Sequence, residues 1–186
     1  MSIRSRFVSA LAALLLSTSA AAAVAPAASA APYCGIVWGS LAKSARPLST
    51  GAVVGVRSGR HACFDRLVID LRAASRPGYD VRYVSSVHAD GSGAVVPLRG
   101  GAAIRVMVDA PAYDSQGRAT YLPTNRRELV DASGYRTFRQ AAWAGSFEGR
   151  TTIGLGVRAR LPFRAFTLTD SATGTTRLVV DVAHRW

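Results

Sequence analysis

The stretch Thr176-Arg177-Leu178-Val179-Val180-Asp181-Val182 decides the fold, and Asp65-Arg66-Leu67-Val68-Ile69-Asp70-Leu71 repeats its order of residue types much earlier in the chain. In an extended chain alternate side chains face opposite ways. Each stretch therefore presents one fully apolar face and one face on which Arg and Asp flank a Val, as a half-buried strand does. Six matching positions are short for a repeat, so chance resemblance stays an alternative. In either case we expect both ends of the chain to contribute strands to one β core.

Short β-prone segments recur between these two stretches, separated by turns rich in Gly, Pro and Asp, which is typical of antiparallel sheets. They lie at 52–56, 80–84, 94–98, 104–108, 151–157 and 163–169. A turn at Ser58-Gly59 joins the first of them to the Asp65–Leu71 stretch as a hairpin. We predict an all-β fold without helices, an antiparallel β-sandwich or partly open barrel built from successive hairpins.

Two further segments need comment. Residues 134–144 fit either a helix or a strand, and we predict a strand because Gly145-Ser146-Phe147-Glu148-Gly149 resembles a tight connection to the strand at 151–157. Gly154 and Gly156 in that strand permit the close approach of another backbone or a ligand. Residues 109–127 form the longest irregular stretch, and long loops of compact domains are often functional.

The first thirty residues carry the features of an export signal. Arg4 and Arg6 form a short basic region, residues 7–16 are an apolar run, and Ala28-Ser29-Ala30 matches the small-residue pattern at signal cleavage sites. The apolar run is shorter than the roughly 20 residues that a membrane-spanning helix needs. We expect residues 1–30 to be a secretory signal peptide and the mature protein to be secreted without a membrane span.

The chain is strongly basic, with a formal net charge of +12, and Lys43 is its only lysine. Loss of Arg4 and Arg6 with the signal lowers the 23 basic residues to 21, against 11 acidic ones. Such a balance suits binding to anionic polymers of the cell envelope, or simply keeps an exported protein in solution. An arginine skew is also typical of GC-rich genomes. The export signal argues against nucleic acid as a partner.

Two cysteines in an oxidising compartment predict a disulfide bridge between Cys34 and Cys63. The bridge ties the N-terminal segment to the start of the Asp65–Leu71 strand. The alternative is a metal site, because His61, Cys63 and Asp65 share one face of an extended strand. No fourth ligand is evident for it, and we predict no metal.

Residues suited to catalysis are sparse. The three histidines lie in turns or near an end of the chain, and none stands in a nucleophile motif. Asp114, Asp131 and Glu148 are the carboxylates from which a glycosidic pair would be assembled, but nothing in their spacing selects them. We predict no enzymatic activity and no cofactor.

Several stretches, in this order, resemble the AMIN-like domain of exported actinobacterial proteins. They are Phe64-Asp65-Arg66-Leu67-Val68-Ile69-Asp70, Pro77-Gly78-Tyr79 leading into Val81-Arg82-Tyr83-Val84, Gly145-Ser146-Phe147-Glu148-Gly149, and Leu161-Pro162-Phe163-Arg164 running into Arg177–Val182. The resemblance covers residues 52–183. It implies a β-sandwich related to the AMIN domain, which places periplasmic cell-wall amidases and secretins at peptidoglycan. It also implies a targeting module without a catalytic motif, here with no attached hydrolase.

A binding role needs cations and aromatic rings at the surface. Arginine pairs bidentately with carboxylates and phosphates, and sugar rings stack on exposed aromatic faces. Trp143 beside Arg158 and Arg160 makes a candidate ligand surface, and Arg82 is a fourth candidate. The alternative is that Trp143 belongs to the core and that the arginines form a solvated face.

We accordingly predict a non-catalytic binding module at residues 51–186, preceded by an extension and linker at 31–50. The expected partner is an anionic cell-envelope polymer such as peptidoglycan, bound by a monomer outside the cytoplasm and associated with the cell wall. The alternative is a protein-interaction module of an envelope assembly, in which an exposed sheet edge accepts a partner's strand.

Overall fold

A computed structural model describes residues 32–47, 51–72 and 76–186. The predicted signal peptide and its cleavage site lie outside the described residues. The described residues form a single 3-10 turn, Tyr33–Gly35, and eleven strands. The strands are β1 (Lys43–Ala45), β2 (Ala52–Arg60), β3 (Phe64–Arg72), β4 (Tyr79–Val84), β5 (Val87–His88), β6 (Val95–Val96), β7 (Ala102–Val108), β8 (Phe138–Phe147), β9 (Arg150–Val157), β10 (Phe163–Asp170) and β11 (Thr175–Ala183).

The strands form two main sheets and a small hairpin. One sheet has the order β1-β4-β7-β9-β8, the other the order β10-β11-β3-β2, and β5 pairs with β6 alone. All of these pairings are antiparallel. Apolar side chains from both main sheets pack into one core, and the sheets do not close into a barrel. The predicted antiparallel β-sandwich is confirmed.

The two similar stretches are neighbouring strands, β3 and β11. Their register sets Arg66 opposite Asp181, Val68 opposite Val179, and Asp70 opposite Arg177. Antiparallel pairing reverses one strand relative to the other, so two strands with the same order of residue types place each Arg across from the other strand's Asp. The similarity thus has a structural consequence, which is charge complementarity at the centre of the four-stranded sheet.

The inner face of these central strands is fully buried, and the outer face is buried in part. Leu67, Ile69 and Leu71 on β3 point into the core and are fully buried, as are their counterparts on β11. On the opposite face Val179 is 1% exposed and Asp181 is 0% exposed. The outer face remains partly open to solvent at Arg66, Asp70 and Arg177, in keeping with the half-buried strands expected from the sequence, and arginine and aromatic side chains lie over its middle.

Local hairpins account for part of the pairing. β2 continues to Arg60, so its connection to β3 falls at 61–63 and not at Ser58-Gly59 as predicted. β8 with β9 and β10 with β11 are also hairpins. By contrast, β4 pairs with β7 across the inserted β5–β6 hairpin. Sequence spacing shows that strands follow one another, but it does not show which of them pair.

Residues 138–147 are a strand, as predicted for most of the ambiguous segment. The turn into β9 consists of Glu148 and Gly149, with φ of 47° and 79°. Positive φ at both central residues is the conformation of a two-residue hairpin loop whose twist matches that of the flanking strands. The tight connection is therefore confirmed, and it is shorter than the predicted five residues.

The two glycines of β9 allow another segment to cross the outer face of the five-stranded sheet. A Cβ at Gly156 would clash with the carbonyl oxygen of Arg99, and one at Gly154 would lie 2.9 Å from the Leu98 side chain. The predicted close approach is confirmed, and the approaching groups belong to this chain: backbone of Arg99 at Gly156 and the Leu98 side chain at Gly154. This contact fixes the segment after β6 against the sheet, where it becomes one wall of a cleft.

The N-terminal segment 32–45, here called the strap, joins the two sheets. Gly39 pairs with Phe163 at the start of β10, and β1 pairs with β4 at the edge of the five-stranded sheet. The sequence of β1, Lys43-Ser44-Ala45, has no apolar alternation, so its extended conformation comes from pairing with β4. Part of the predicted linker is thus a strand of the sheet.

Candidate functional site

A cleft with a volume of about 680 Å³ lies beside β8. One wall is the segment 95–99 that crosses the five-stranded sheet, and the other is the loop 125–128. The floor is formed by Gln140, Ala142 and Trp143 of β8. We call this feature the Trp143 cleft.

Gln140 holds the two walls of the cleft at a fixed separation. Its side chain is buried, with 4% exposure. Its Oε1 accepts a hydrogen bond from the Arg99 backbone N–H at 2.7 Å, and its Nε2 donates to the Arg127 carbonyl at 2.9 Å. A buried amide with both ends bonded is a rigid spacer. The cleft is therefore preformed.

The loop wall is also fixed to the outer edge of β8. The Trp143 backbone N–H donates to the Arg126 carbonyl at 2.7 Å, and the Leu129 N–H donates to the Ala141 carbonyl at 2.8 Å. These bonds cover the middle of an edge strand whose polar groups are otherwise open to a partner. The irregular loop thus stabilises the sheet edge and positions the side chains of its own residues.

Trp143 lines the cleft, but its side chain lies on the core face of β8, since Trp143 pairs with Ile153 and packs against the core. Its ring is half-buried and packs against Tyr121, with ring centroids 5.6 Å apart and planes at 56°. No described residue accepts a hydrogen bond from its indole N–H. The Trp143 side chain therefore packs at the edge of the core, which is the alternative role considered for this residue.

The cations of the cleft differ in how far they are neutralised. Arg99 binds Glu128 bidentately, at 2.5 and 3.0 Å, and the hydrogen bond to Glu128 raises the pKa of Arg99. Arg126 and Arg127 are exposed, and no described side chain or carbonyl pairs with either guanidinium. The cleft thus has a net positive charge and two unoccupied bidentate donors.

The other predicted ligand residues lie elsewhere. Arg158 donates to the His184 carbonyl at 2.8 Å, and Arg160 lies over the Tyr83 ring at 4.7 Å. Arg82 forms an ion pair with Asp80 on the five-stranded sheet. Of the predicted set, the structure places Trp143 alone in the cleft, without Arg158 and Arg160 beside it.

A second group of arginines lies on the outer face of the four-stranded sheet, and four of them have a carboxylate partner. We call it the arginine face; it comprises Arg57 and Arg177 with Asp70, and Arg66 and Arg164 with Asp181. Arg66 and Arg164 also lie over the Phe166 ring, at 5.8 and 5.0 Å. These contacts commit the arginines to the fold, so the Trp143 cleft is the better candidate for a ligand.

The predicted disulfide is present: Cys34 and Cys63 are bonded, with Cα atoms 6.4 Å apart. The alternative metal site does not form, because its three residues have other partners. Asp65 accepts bonds from the Thr137 N–H at 2.5 Å and from His184 at 3.0 Å, and His61 stacks on Phe64. Within residues 32–47, 51–72 and 76–186 no three potential metal-ligating side chains converge.

The carboxylates considered for catalysis serve local turns. Asp114 accepts hydrogen bonds from the Gln116 and Arg118 backbone N–H groups, and Asp131 accepts one from the Ser133 N–H. Glu148 occupies the hairpin turn between β8 and β9. These contacts give each residue a structural reason to be present.

A family model for the AMIN-like domain matches residues 51–184. The chain belongs to the AMIN-like domain family. No curated protein and no solved structure gives a significant match. AMIN-like domains are extracytoplasmic and are generally binding modules without catalytic activity. In this AMIN-like domain, the described residues include no helix long and apolar enough to span a bilayer.

Sequence reasoning missed the residues that build the cleft of this AMIN-like domain. Arg126 and Arg127 stand at the end of the long irregular stretch 109–127. The length of that stretch was the feature of the sequence that could have pointed to them. Gln140 gave no signal, because a glutamine in a strand looks like a solvated residue until both of its hydrogen-bond partners are known. The inserted β5–β6 hairpin brings Arg99 to Gln140 across the sheet.

We expect the Asp90→Asn variant of this AMIN-like domain to be more stable than the wild type at neutral pH. One carboxylate oxygen of Asp90 is buried without a partner among the described residues. Burial raises the pKa of Asp90, and hydrogen bonding to Thr152 opposes this rise. Because the folded pKa lies above the unfolded value, wild-type stability falls as pH rises from about 4 through the folded pKa. The stability of the Asn variant does not fall in this way, because an amide does not ionise.

Urea unfolding of both proteins across pH 3 to 8 tests this expectation. The stability difference should favour the variant increasingly as the pH rises above the pKa of the unfolded carboxyl. Parallel pH profiles for the two proteins would show that burial of Asp90 has no energetic cost.

Proposed function

We propose that this protein is a secreted, non-catalytic module that binds an anionic polymer of the cell envelope such as peptidoglycan, and that the Trp143 cleft is its binding site. Membership of the AMIN-like family supports association with the envelope. The observation that carries the assignment to the cleft is the pair Arg126 and Arg127, exposed at a preformed cleft and without partners among the described residues.

The ligand chemistry follows from the cleft. Stem-peptide carboxylates and wall phosphates are planar or tetrahedral anions that arginine binds bidentately. Arg82, Arg158 and Arg160 lie outside the cleft, and in this proposal they add to the overall positive charge that attracts the polymer.

Strand addition by a partner protein is the alternative, and the covered edges make it less favourable. The middle of the β8 edge is bonded to the loop 125–129, and the start of the β10 edge is bonded to Gly39. A partner's strand would have to displace these segments before pairing.

Removal of the two free cations tests the proposed site. We expect the double variant Arg126→Gln/Arg127→Gln to bind purified peptidoglycan at least about tenfold more weakly than the wild type, because each lost charge-assisted hydrogen bond is worth about 1.5 kcal/mol or more. The measurement is co-sedimentation with insoluble wall at several protein concentrations, at low and raised salt. Both residues are exposed, so we expect unchanged folding.

Arg136→Gln is the matched control, because Arg136 is an exposed arginine outside the cleft whose guanidinium also has no described partner. It should retain wild-type binding within about twofold, since it changes only the net charge. If the wild type does not co-sediment at low salt, the proposed function is wrong. If the double variant binds like the control, the function stands but the cleft is not the site.

A further inference from the structure

Three large apolar side chains protrude from one end of the sandwich. Val37 and Leu41 of the strap are 87% and 78% exposed, and Trp186 is 70% exposed. None of the three is a predicted ligand residue, and none of them lines the Trp143 cleft. Single exposed apolar residues are common, but a cluster of them at one surface marks an interaction site.

Contacts between the C-terminal residues and the strap show that these residues belong to one end, and part of the path runs through the buried Phe163 side chain. The Trp186 indole N–H donates to the Arg160 carbonyl at 3.1 Å, and Arg160 lies over Tyr83. Tyr83 packs edge-on against Phe163, with centroids 5.6 Å apart. The next contact in this series is made by Lys43.

The Lys43 ammonium lies 4.9 Å from the Phe163 ring centroid and donates to the Leu41 carbonyl at 2.7 Å. On the other side of Trp186, Arg185 lies 4.6 Å from the Tyr33 ring centroid of the strap. The C-terminal residues and the strap are therefore neighbours, and we call this part of the domain the strap end.

The strap end is basic and has no acidic side chain of its own. The segments that form it, 32–47, 157–164 and 182–186, contain no Asp or Glu. Their cations are Lys43, Arg46, Arg158, Arg160, Arg164 and Arg185. Of these, Arg164 is paired with Asp181. A protruding aromatic and aliphatic group surrounded by unneutralised cations is the composition of surfaces that bind at the lipid–water interface.

We propose that the strap end docks on a membrane surface containing anionic phospholipids. Trp186 would lie at the headgroup level, where an indole places its ring in apolar and its N–H in polar surroundings. Val37 and Leu41 would enter the acyl boundary, and the cations would pair with lipid phosphates. A hydrophilic wall polymer gains nothing from protruding aliphatic side chains, so the apolar residues favour lipid over polymer at this surface.

This proposal goes beyond binding at the Trp143 cleft and shares none of its residues. It gives an exported protein a second attachment, to the outer surface of the membrane, while the cleft remains available to the wall. The two sites are therefore separable by mutation.

Vesicle co-sedimentation tests the proposal. We expect the full domain with its disulfide to sediment with vesicles of phosphatidylglycerol at low salt, and not with vesicles of phosphatidylcholine. The Leu41→Ser/Trp186→Ser variant should bind the anionic vesicles at least about tenfold more weakly. Leu122→Ser is the matched control, because Leu122 is 73% exposed but lies outside the strap end, and it should bind like the wild type.

Wall co-sedimentation of the same variants separates this proposal from the proposed function, since Leu41→Ser/Trp186→Ser should bind peptidoglycan normally. Absence of wild-type binding to anionic vesicles at low salt would overturn membrane docking. Equal vesicle binding by the variant and the Leu122→Ser control would also overturn it. So would a doubled molecular mass in solution that the variant loses, because a second copy of the chain would then cover the strap end.

Discussion

Replacement of Asp181 by Asn is expected to lower the free energy of unfolding by about 3 kcal/mol. Asp181 is fully buried at the centre of the four-stranded sheet. It accepts a bidentate pair from Arg66 at 2.6 and 2.9 Å and a further bond from Arg164 at 2.8 Å. The neutral amide would leave two guanidinium groups without a counter-charge. Urea unfolding at neutral pH measures the loss.

Asp70 is the matched control, because it occupies the position equivalent to Asp181 in the neighbouring strand. Its partner Arg57 has a side-chain exposure of 55%, and Asp70 itself has one of 26%. Solvent screens such a pair, so Asp70→Asn should cost about 1 kcal/mol or less. Equal losses for the two variants would show that burial does not distinguish the two halves of the arginine face.

Removal of the disulfide, as Cys34→Ser/Cys63→Ser, should cost about 3.5 kcal/mol in the chain-entropy model for a loop of this length. The two cysteines are 29 residues apart in sequence, and the bridge ties the strap to the start of β3. Without it the strap is held by β1 and by the single bridge between Gly39 and Phe163. Thermal or urea unfolding with and without a reductant measures the effect.

Hydrogen exchange shows where that stability is lost. The Phe163 N–H donates to the Gly39 carbonyl at 2.8 Å. Its exchange should be faster in the double variant than in the wild type, and the acceleration should be larger than that of core amides of β3 and β11. A reductant should not lower the stability of the double variant further. If it leaves the unfolding midpoint of the wild type unchanged, the bridge contributes no stability.

Much of the fold was predictable, because the alternation of apolar and polar residues in a strand depends only on the residues of that strand. Alternation identified the apolar faces of β3 and β11, and the glycines of β9 correctly indicated a close approach. Pairing was less accessible, since it depends on contacts between residues far apart in sequence. β4 with β7 and β3 with β11 are such pairs.

The site was less predictable than the fold. Trp143 was identified because an aromatic residue beside cations suits a sugar-binding surface, but its ring packs against Tyr121 at the edge of the core, and Arg158 and Arg160 lie elsewhere. Cleft walls come from two loops that no periodic pattern describes. Their position depends on Gln140, whose hydrogen bonds join segments that are distant in the sequence.

By itself the sequence determined the strand faces, the disulfide partners, the positive charge and the family resemblance, because each depends on residue type and local spacing. The tertiary structure alone decided which charges are neutralised. Asp181 holds two arginines and Glu128 holds Arg99, whereas Arg126 and Arg127 remain free among the described residues. Neutralisation requires atoms to meet within hydrogen-bond distance, and that distance is set by strand pairing and loop position.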